Sequence, residues 1–349
     1  GGGTGGHIFP AIAIANAIKK LQPDAEILFV GARGRMEMEK VPQAGYEIKG
    51  IDIIGFNRSS LIKNIGLPFK LIRSFVQVRS IINQFKPDAV IGVGGYSSFP
   101  VLRYAQSKGI ATFIHESNSF AGKANMMLGR QAKKVFVASD GMEKFFPAQK
   151  IIITGNPVRA AIAHTKVTRE EGLKFFGLNT DKKTVLVVGG SLGAKSINEA
   201  IDAGIDQFEQ NDLQLIWQTG KLDYKNILEE TKDIHSRNIQ IVEFIKNMEI
   251  AYSAADVIVS RAGAIAISEL AIAKKPVLLV PFPFAAEDHQ TKNAQTLVEK
   301  NAAKMVKDTE MKEKFWNTLS EICENESLRK EMSQNLDFFA KPKATEEIV

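Results

Sequence analysis

The chain alternates short, unbroken apolar runs with stretches of helical period. In the first half "AEILFVGA", "PDAVIGVGG", "IATFIHES" and "KKVFVAS" read as strands. These runs are β-branched and continuous, which suits strands buried on both faces of a parallel sheet. Helical stretches lie between them: Ile14, Ile18 and Leu21 fall at i, i+4 and i+7 and share one face. The pattern then restarts. "KKTVLVVGGSLGAKSINEAI" repeats the order strand, glycine turn, helix, and "LQLIWQTG", "IQIVEFI", "ADVIVSRAG" and "KPVLLVPFP" continue it. Two rounds of strand–helix alternation predict an α/β protein of two doubly wound domains. The join is expected near "ITGNPVRAAI", where Gly155 and Pro157 punctuate, so the domains are expected over 1–157 and 158–325. The charged helical tail over 326–349 is expected to pack back on the first domain. Two such sheets face to face predict a cleft between the carboxyl ends of their strands, where ligands bind in folds of this kind.

A length of 349 residues is enough for both cores. Apolar residues at 44% and charged residues at 24% are ordinary for a globular protein in water. The single cysteine, Cys323, excludes an internal disulfide and fits a reducing cytosolic setting. No run approaches the ~18 consecutive apolar residues of a spanning helix, and no signal-peptide pattern is visible. The net charge of +6 suits anionic small molecules or a membrane surface and does not demand nucleic acid. C-x-x-C pairs, H-E-x-x-H and RNA-binding aromatic signatures are absent from the sequence.

The chemistry concentrates in two glycine loops. In "VLVVGGSLGAKS", Val185–Val188 form a strand and Gly189, Gly190 and Gly193 allow a tight turn close to a ligand. Ser191 supplies a hydroxyl, and a helix starting near Ala194 offers unpaired N–H groups to a phosphate. Lys195 follows Ala194 and not a glycine, so this is not a Walker A loop. The opening "GGGTGGHIFP" repeats the arrangement. Read as a dinucleotide fingerprint it lacks the acidic residue expected at the end of the second strand, because Asp24 and Glu26 precede that strand. Arg33 in that position leaves a 2′-phosphate, and so an NADP oxidoreductase, as an alternative. His7 directly follows the glycines; it is either a general base or a capping or packing histidine.

Several strings then coincide in order: "GGGTGGHIFPAIAIA", "GVGGYSSFP", "HESNSFAGKANM", "GNPVR", "VVGGSLGAKSIN", "EFI", "SRAGAIAISEL" and "VPFPFAAEDHQTKNA". Together they closely resemble the MurG family, the N-acetylglucosaminyltransferases that convert lipid I to lipid II in bacterial peptidoglycan synthesis. The resemblance implies a GT-B fold, two Rossmann-like domains facing across a cleft. It implies a metal-free, inverting displacement without a cofactor, in which the acceptor's 4-hydroxyl attacks UDP-GlcNAc. Family members carry a short strand before the opening glycines, an expectation for residues ahead of Gly1. By the match of motifs, His7 is the base and Glu116 the competing candidate. The diphosphate is expected on backbone N–H groups of both loops, including Thr4, Gly5 and Gly6, assisted by Ser191 and Arg159. Ile245 is expected to read uracil through its backbone under Phe244. Ala264, Ile265, Ser268 and Glu269 are expected at the ribose and phosphate, with Glu269 accepting from the ribose hydroxyls. Asn118, His289, Gln290 and Asn293 are expected at the sugar, and Gly94, Gly95 and Tyr96 at the acceptor. A glycolipid glycosyltransferase, a UDP-GlcNAc 2-epimerase and a non-catalytic UDP-sugar module are the other readings of the same fold.

Between Asp52 and Asp88 no acidic residue occurs, while Arg58, Lys63, Lys70, Arg73, Arg79 and Lys86 interleave with Leu61, Ile62, Leu67, Phe69, Leu71, Ile72 and Phe75. This pattern suits an anionic bilayer surface, here the cytoplasmic face of the inner membrane. The other reading is an ordinary amphipathic helix facing the core. The partners expected are therefore UDP-GlcNAc, lipid I, that membrane surface and other cell-wall synthesis proteins.

Overall fold

The computed structural model describes residues 2, 5–55, 66–232, 234, 236–285 and 288–349. It divides into two compact units, residues 1–159 with 343–349, and residues 160–342. The segment that joins the first unit at the end of the chain is shorter than the expected 326–349. The helix Glu326–Leu336 belongs to the second unit, where Met332 joins the main core. Only the last turn-and-a-half, Ala344–Ile348, belongs to the first unit. There Ile348 packs with Ile14, Val93 and Phe136, and Thr345 donates to the Val158 carbonyl at 3.2 Å.

In the first unit, β1 (Leu28–Ala32) and β2 (Glu47–Ile51) form one parallel pair. A second parallel sheet runs β3–β4–β5–β6, with β3 Ala89–Gly92, β4 Ala111–Glu116, β5 Lys134–Val137 and β6 Ile151–Ile153. Between β1 and β3 lies a cavity of ≈ 580 Å³ walled by Ala11, Ile14, Leu28, Val30, Ala89 and Ile91. The opening glycines are helical earlier than the sequence suggests, since the first helix begins at Gly5 and runs to Leu21. Pro10 sits inside it; lacking an N–H, it leaves the Gly6 carbonyl without its usual partner.

The second unit holds one six-stranded parallel sheet in the order β12–β11–β10–β7–β8–β9. Its strands are β7 (Lys183–Val188), β8 (Leu213–Gln218), β9 (Ile239–Val242), β10 (Val257–Ser260), β11 (Val277–Leu279) and β12 (Lys304–Met305). Counted within the unit this is the order 3-2-1-4-5-6, whose direction reverses between β7 and β10. Ligands bind beside that switch point in open α/β sheets. Val185, Val187, Leu215, Trp217, Val257, Val259 and Leu278 are all wholly buried in one cluster, as continuous apolar strands require. Asp256 ties the starts of the two central strands to Arg169: it accepts from Arg169 Nε at 3.0 Å, Arg169 Nη2 at 2.8 Å and Thr184 N at 2.8 Å.

Candidate active site

In the first unit the carboxyl ends of β3 and β4 gather the residues expected at the acceptor and beside the base. Gly5, Gly6 and His7 form the first turn of the helix Gly5–Leu21, which contains no acid. Their N–H groups have no intrahelical acceptor and carry the positive end of the helix dipole. His7 is therefore a helical residue and not a loop residue, partly exposed. Its ring lies against the turn after β3. A Cβ on Gly94 would stand 2.8 Å from His7 Cδ2 and 2.9 Å from Nε2, and Gly94 has φ +89°. Only glycine satisfies both conditions. Gly95 lies in the same turn, and Tyr96 packs into the small core beneath it. Thr4 falls outside the described residues.

Beside them, β4 ends in His115 and Glu116, both buried. Glu116 receives four hydrogen bonds. Asn118 N at 3.1 Å and Asn118 Nδ2 at 3.2 Å donate to Oε1; Gly122 N at 3.1 Å and Asn125 Nδ2 at 2.9 Å donate to Oε2. Both carboxylate oxygens are thus occupied by the loop they organise, and the lone pairs a base would use are engaged. The carboxylate thus anchors the loop that follows β4. Asn118, expected at the sugar, is held by this carboxylate.

His115 was not singled out in the sequence. Its Nε2 lies 3.1 Å from the Gly155 carbonyl, so Nε2 carries the proton, and Nδ1, 3.4 Å from Ser117 Oγ, accepts. Burial pushes its pKa down to about 4 against the opposing Gly155 hydrogen bond, with the charge of His7 lowering it further. It stays neutral at physiological pH. Arg159, at the end of this unit, stacks its guanidinium 5.3 Å over the Phe9 ring, one turn along the opening helix.

The second unit holds the residues expected at the nucleotide. Its glycine loop leaves β7 at Gly189 and enters the helix Lys195–Ala203. Backbone meets backbone there: a Cβ on Gly193 would lie 2.2 Å from the Thr219 carbonyl. Ser191 is partly exposed on that loop. Across the switch point, the helix Ala264–Ala273 starts at Ala264 and Ile265, again without an acid in its first turn. Ser268 Oγ donates back to the Ala264 carbonyl at 3.1 Å. Glu269 is buried and accepts from Tyr252 Oη at 3.1 Å. Arg261 binds the ends of the neighbouring elements, donating to the Val280 and Pro281 carbonyls at 3.1 Å and to Ser196 Oγ at 3.0 Å.

Ile245 is buried, and its N–H donates to Gln218 Oε1 at 2.8 Å. Phe244, next to it, is exposed. Gln290 and Asn293 lie on the helix His289–Val298, which begins at His289. Each spends part of its amide on the protein: Gln290 Oε1 accepts from Phe282 N at 3.0 Å, and Asn293 Nδ2 donates to the Ala262 carbonyl at 3.2 Å. Arg33, the alternative 2′-phosphate ligand, is committed to the Gly50 carbonyl at 3.1 Å and to Asp52 at 3.3 Å. No group of three or more His, Cys, Asp or Glu residues forms a metal-type cluster among the described residues.

Residues 1–137 match the N-terminal domain of glycosyltransferase family 28, and residues 184–348 match its C-terminal domain. A UDP-N-acetylglucosamine--N-acetylmuramyl-(pentapeptide) pyrophosphoryl-undecaprenol N-acetylglucosamine transferase of Bacteroides fragilis is 52% identical over 344 residues, covering 98% of this chain and 90% of its own. The protein of the same name in Cytophaga hutchinsonii is 50% identical, covering 100% and 94%. The crystal structure of Acinetobacter baumannii MurG superposes with a TM-score of 0.76 at 32% identity, covering 99% of this chain and 96% of that one. With both halves matched and about half the residues shared from end to end, the chain belongs to glycosyltransferase family 28, in its MurG family.

Proposed function

We propose that this protein is a UDP-GlcNAc-dependent, inverting hexosyltransferase. It moves GlcNAc from UDP-GlcNAc to the 4-hydroxyl of MurNAc in undecaprenyl-pyrophosphoryl-MurNAc-pentapeptide, lipid I, and so makes lipid II for cell-wall growth. The observation that carries this is the end-to-end identity of about one half with relatives that bear that activity in their names.

The chemistry makes two demands. The acceptor oxygen forms a bond to the anomeric carbon as its proton leaves, and the bond from that carbon to the β-phosphate oxygen breaks, releasing UDP. His7 takes the proton; its support is its place on the first turn of the helix Gly5–Leu21 against Gly94. The charge gathering on UDP falls to fixed donors, which need no reorganisation during the reaction. The first-turn N–H groups of Gly5 and Gly6, the Ser191 loop, the start of the helix at Ala264 and Ile265, and the Arg159 guanidinium fill that part. Uracil pairs its N3–H with the Ile245 carbonyl under Phe244. Glu269 accepts from the ribose, and Asn118, His289, Gln290 and Asn293 hold the sugar. Gly94, Gly95 and Tyr96 form the acceptor wall. The displacement uses no metal.

The acceptor's polyprenyl chain is costly to draw out of a bilayer, so the enzyme docks on the cytoplasmic face of the inner membrane. No helix among the described residues is long and apolar enough to cross it. The helix Leu67–Phe85 supports docking: Phe69, Ile72 and Val76 are 76%, 64% and 65% exposed along one side, with Lys70 and Arg79 exposed nearby. Of the same stretch, Arg73 pairs with Asp52 at 2.9 Å, Leu71 packs on a core cluster and Phe75 meets the Phe99 ring, while Arg58, Leu61, Ile62 and Lys63 lie outside the described residues.

The deciding assay is transfer of labelled GlcNAc from UDP-GlcNAc to a lipid I analogue in the presence of EDTA. Transfer is expected; no transfer with or without divalent metal ends the reading, and loss only with EDTA ends the metal-free mechanism. His7→Ala is expected to lower kcat by about 10²–10⁴ while UDP affinity holds. Binding to vesicles of anionic phospholipid is expected to fall several-fold in Phe69→Ser/Ile72→Ser.

A further inference from the structure

A buried side chain in the second unit joins two parts of the nucleotide half that the sequence treats separately. Gln218 closes β8 and is 2% exposed. Its Oε1 accepts the Ile245 N–H at 2.8 Å, and its Nε2 donates to the Gly190 carbonyl at 3.0 Å. One amide therefore holds both the base-reading residue and the middle of the glycine loop.

The consequence follows from peptide geometry. In a trans peptide the carbonyl and the following N–H point in opposite directions. The Gly190 carbonyl is drawn towards β8 by Gln218 Nε2 and also accepts from Gly193 N at 3.1 Å. The N–H of Ser191 must then point away from β8, to the open side of the loop, as anion binding requires. The same amide spends the Ile245 N–H and leaves its carbonyl for the N3–H of a pyrimidine. The backbone pairs the same strand ends only up to Glu243, with Thr219 N donating to Val242 O at 3.1 Å and Gly220 N to Glu243 O at 3.2 Å.

We infer that Gln218 is a positioning residue that couples pyrimidine recognition to diphosphate binding, so that the loop's N–H groups face a diphosphate when the base is seated. The inference rests on the UDP-sugar reading and deepens it.

Gln218→Glu exchanges one NH2 for one oxygen. The carboxylate still accepts from Ile245 N but meets the Gly190 carbonyl with a lone pair and not a donor. Calorimetric titration with UDP and with uridine separates the two halves. The wild-type protein is expected to bind UDP far more tightly than uridine. In Gln218→Glu the UDP-to-uridine affinity ratio is expected to fall about tenfold or more, with uridine affinity within about twofold of wild type. Gln218→Met, which has neither hydrogen bond, is expected to weaken both ligands and serves if Gln218→Glu does not unfold cooperatively. An unchanged ratio in a folded Gln218→Glu, or unchanged affinities in Gln218→Met, overturns the coupling. Failure of the wild type to bind UDP at all overturns instead the reading on which it rests.

Discussion

Lowering the pH should loosen the first unit through His115. The ring is wholly buried, faces the Gly155 carbonyl through Nε2 and Ser117 Oγ through Nδ1, and feels the charge of His7. Desolvation holds its pKa at about 4 in the folded chain against 6.5 for an ordinary histidine. Between those values the unfolded chain binds more protons than the folded one. The contribution to stability is therefore complete above pH 6.5 and is lost as pH falls towards 4. At about 1.4 kcal/mol per pH unit the whole window amounts to about 3 kcal/mol, of which about 2 kcal/mol is lost by pH 5. For a unit of this size that corresponds to a fall in Tm of about 4–8 °C between pH 7 and pH 5. The measurement is differential scanning calorimetry of wild type and His115→Gln across that range. Carboxylates and the other histidines titrate in both proteins, so the difference between the two slopes isolates His115. Equal losses of Tm in the two proteins would refute the reasoning. A larger loss in the variant would do the same.

Glu116→Gln should behave as loss of a loop anchor, lowering stability by about 1–3 kcal/mol because donors at Asn125 and Gly122 lose their acceptor. A variant with unchanged Tm but abolished turnover, and with the acid limb of its pH–rate profile gone, would return Glu116 to the role of base. Gly94→Ala places a methyl 2.8 Å from the His7 ring at φ +89°. Beyond the ~1–2 kcal/mol of backbone cost, it should lower kcat more than tenfold while UDP affinity in titration stays at the wild-type value. Cys323 is buried, and desolvation raises its thiol pKa to about 12. A thiol-reactive chromogenic disulfide should leave the native protein unmodified and label one group per chain in denaturant; rapid labelling of native protein would contradict the burial.

Much of this protein is legible in its sequence because buried parallel strands announce themselves. The runs at 185–188, 215–217, 257–259 and 277–279 are continuous and apolar, and each lies in a strand. β2 escaped notice for the opposite reason: Glu47 and Lys49 alternate with Ile48 and the strand is half exposed, so no apolar run marks it. β6 and β12 are only three and two residues long, too short for any periodicity. The second glycine loop was visible because a positive φ and close backbone approach leave glycine as the sole choice, as at Gly193.

The sequence by itself determined the two-fold repeat of strand and glycine turn, the family, and which residue types carry the chemistry, since each of these depends on local composition and order. Only the tertiary structure shows what each of them touches. Glu116 is one carboxylate at a strand end until its four donors, spread over residues 118–125, are seen to converge on it. Likewise, Gln218 is one polar letter at the end of a strand until Gly190 and Ile245, 28 positions before it and 27 after it, meet at its amide. Hydrogen bonds are made between atoms about 3 Å apart in space, and that closeness is fixed by strand order and loop geometry, which composition and periodicity do not contain.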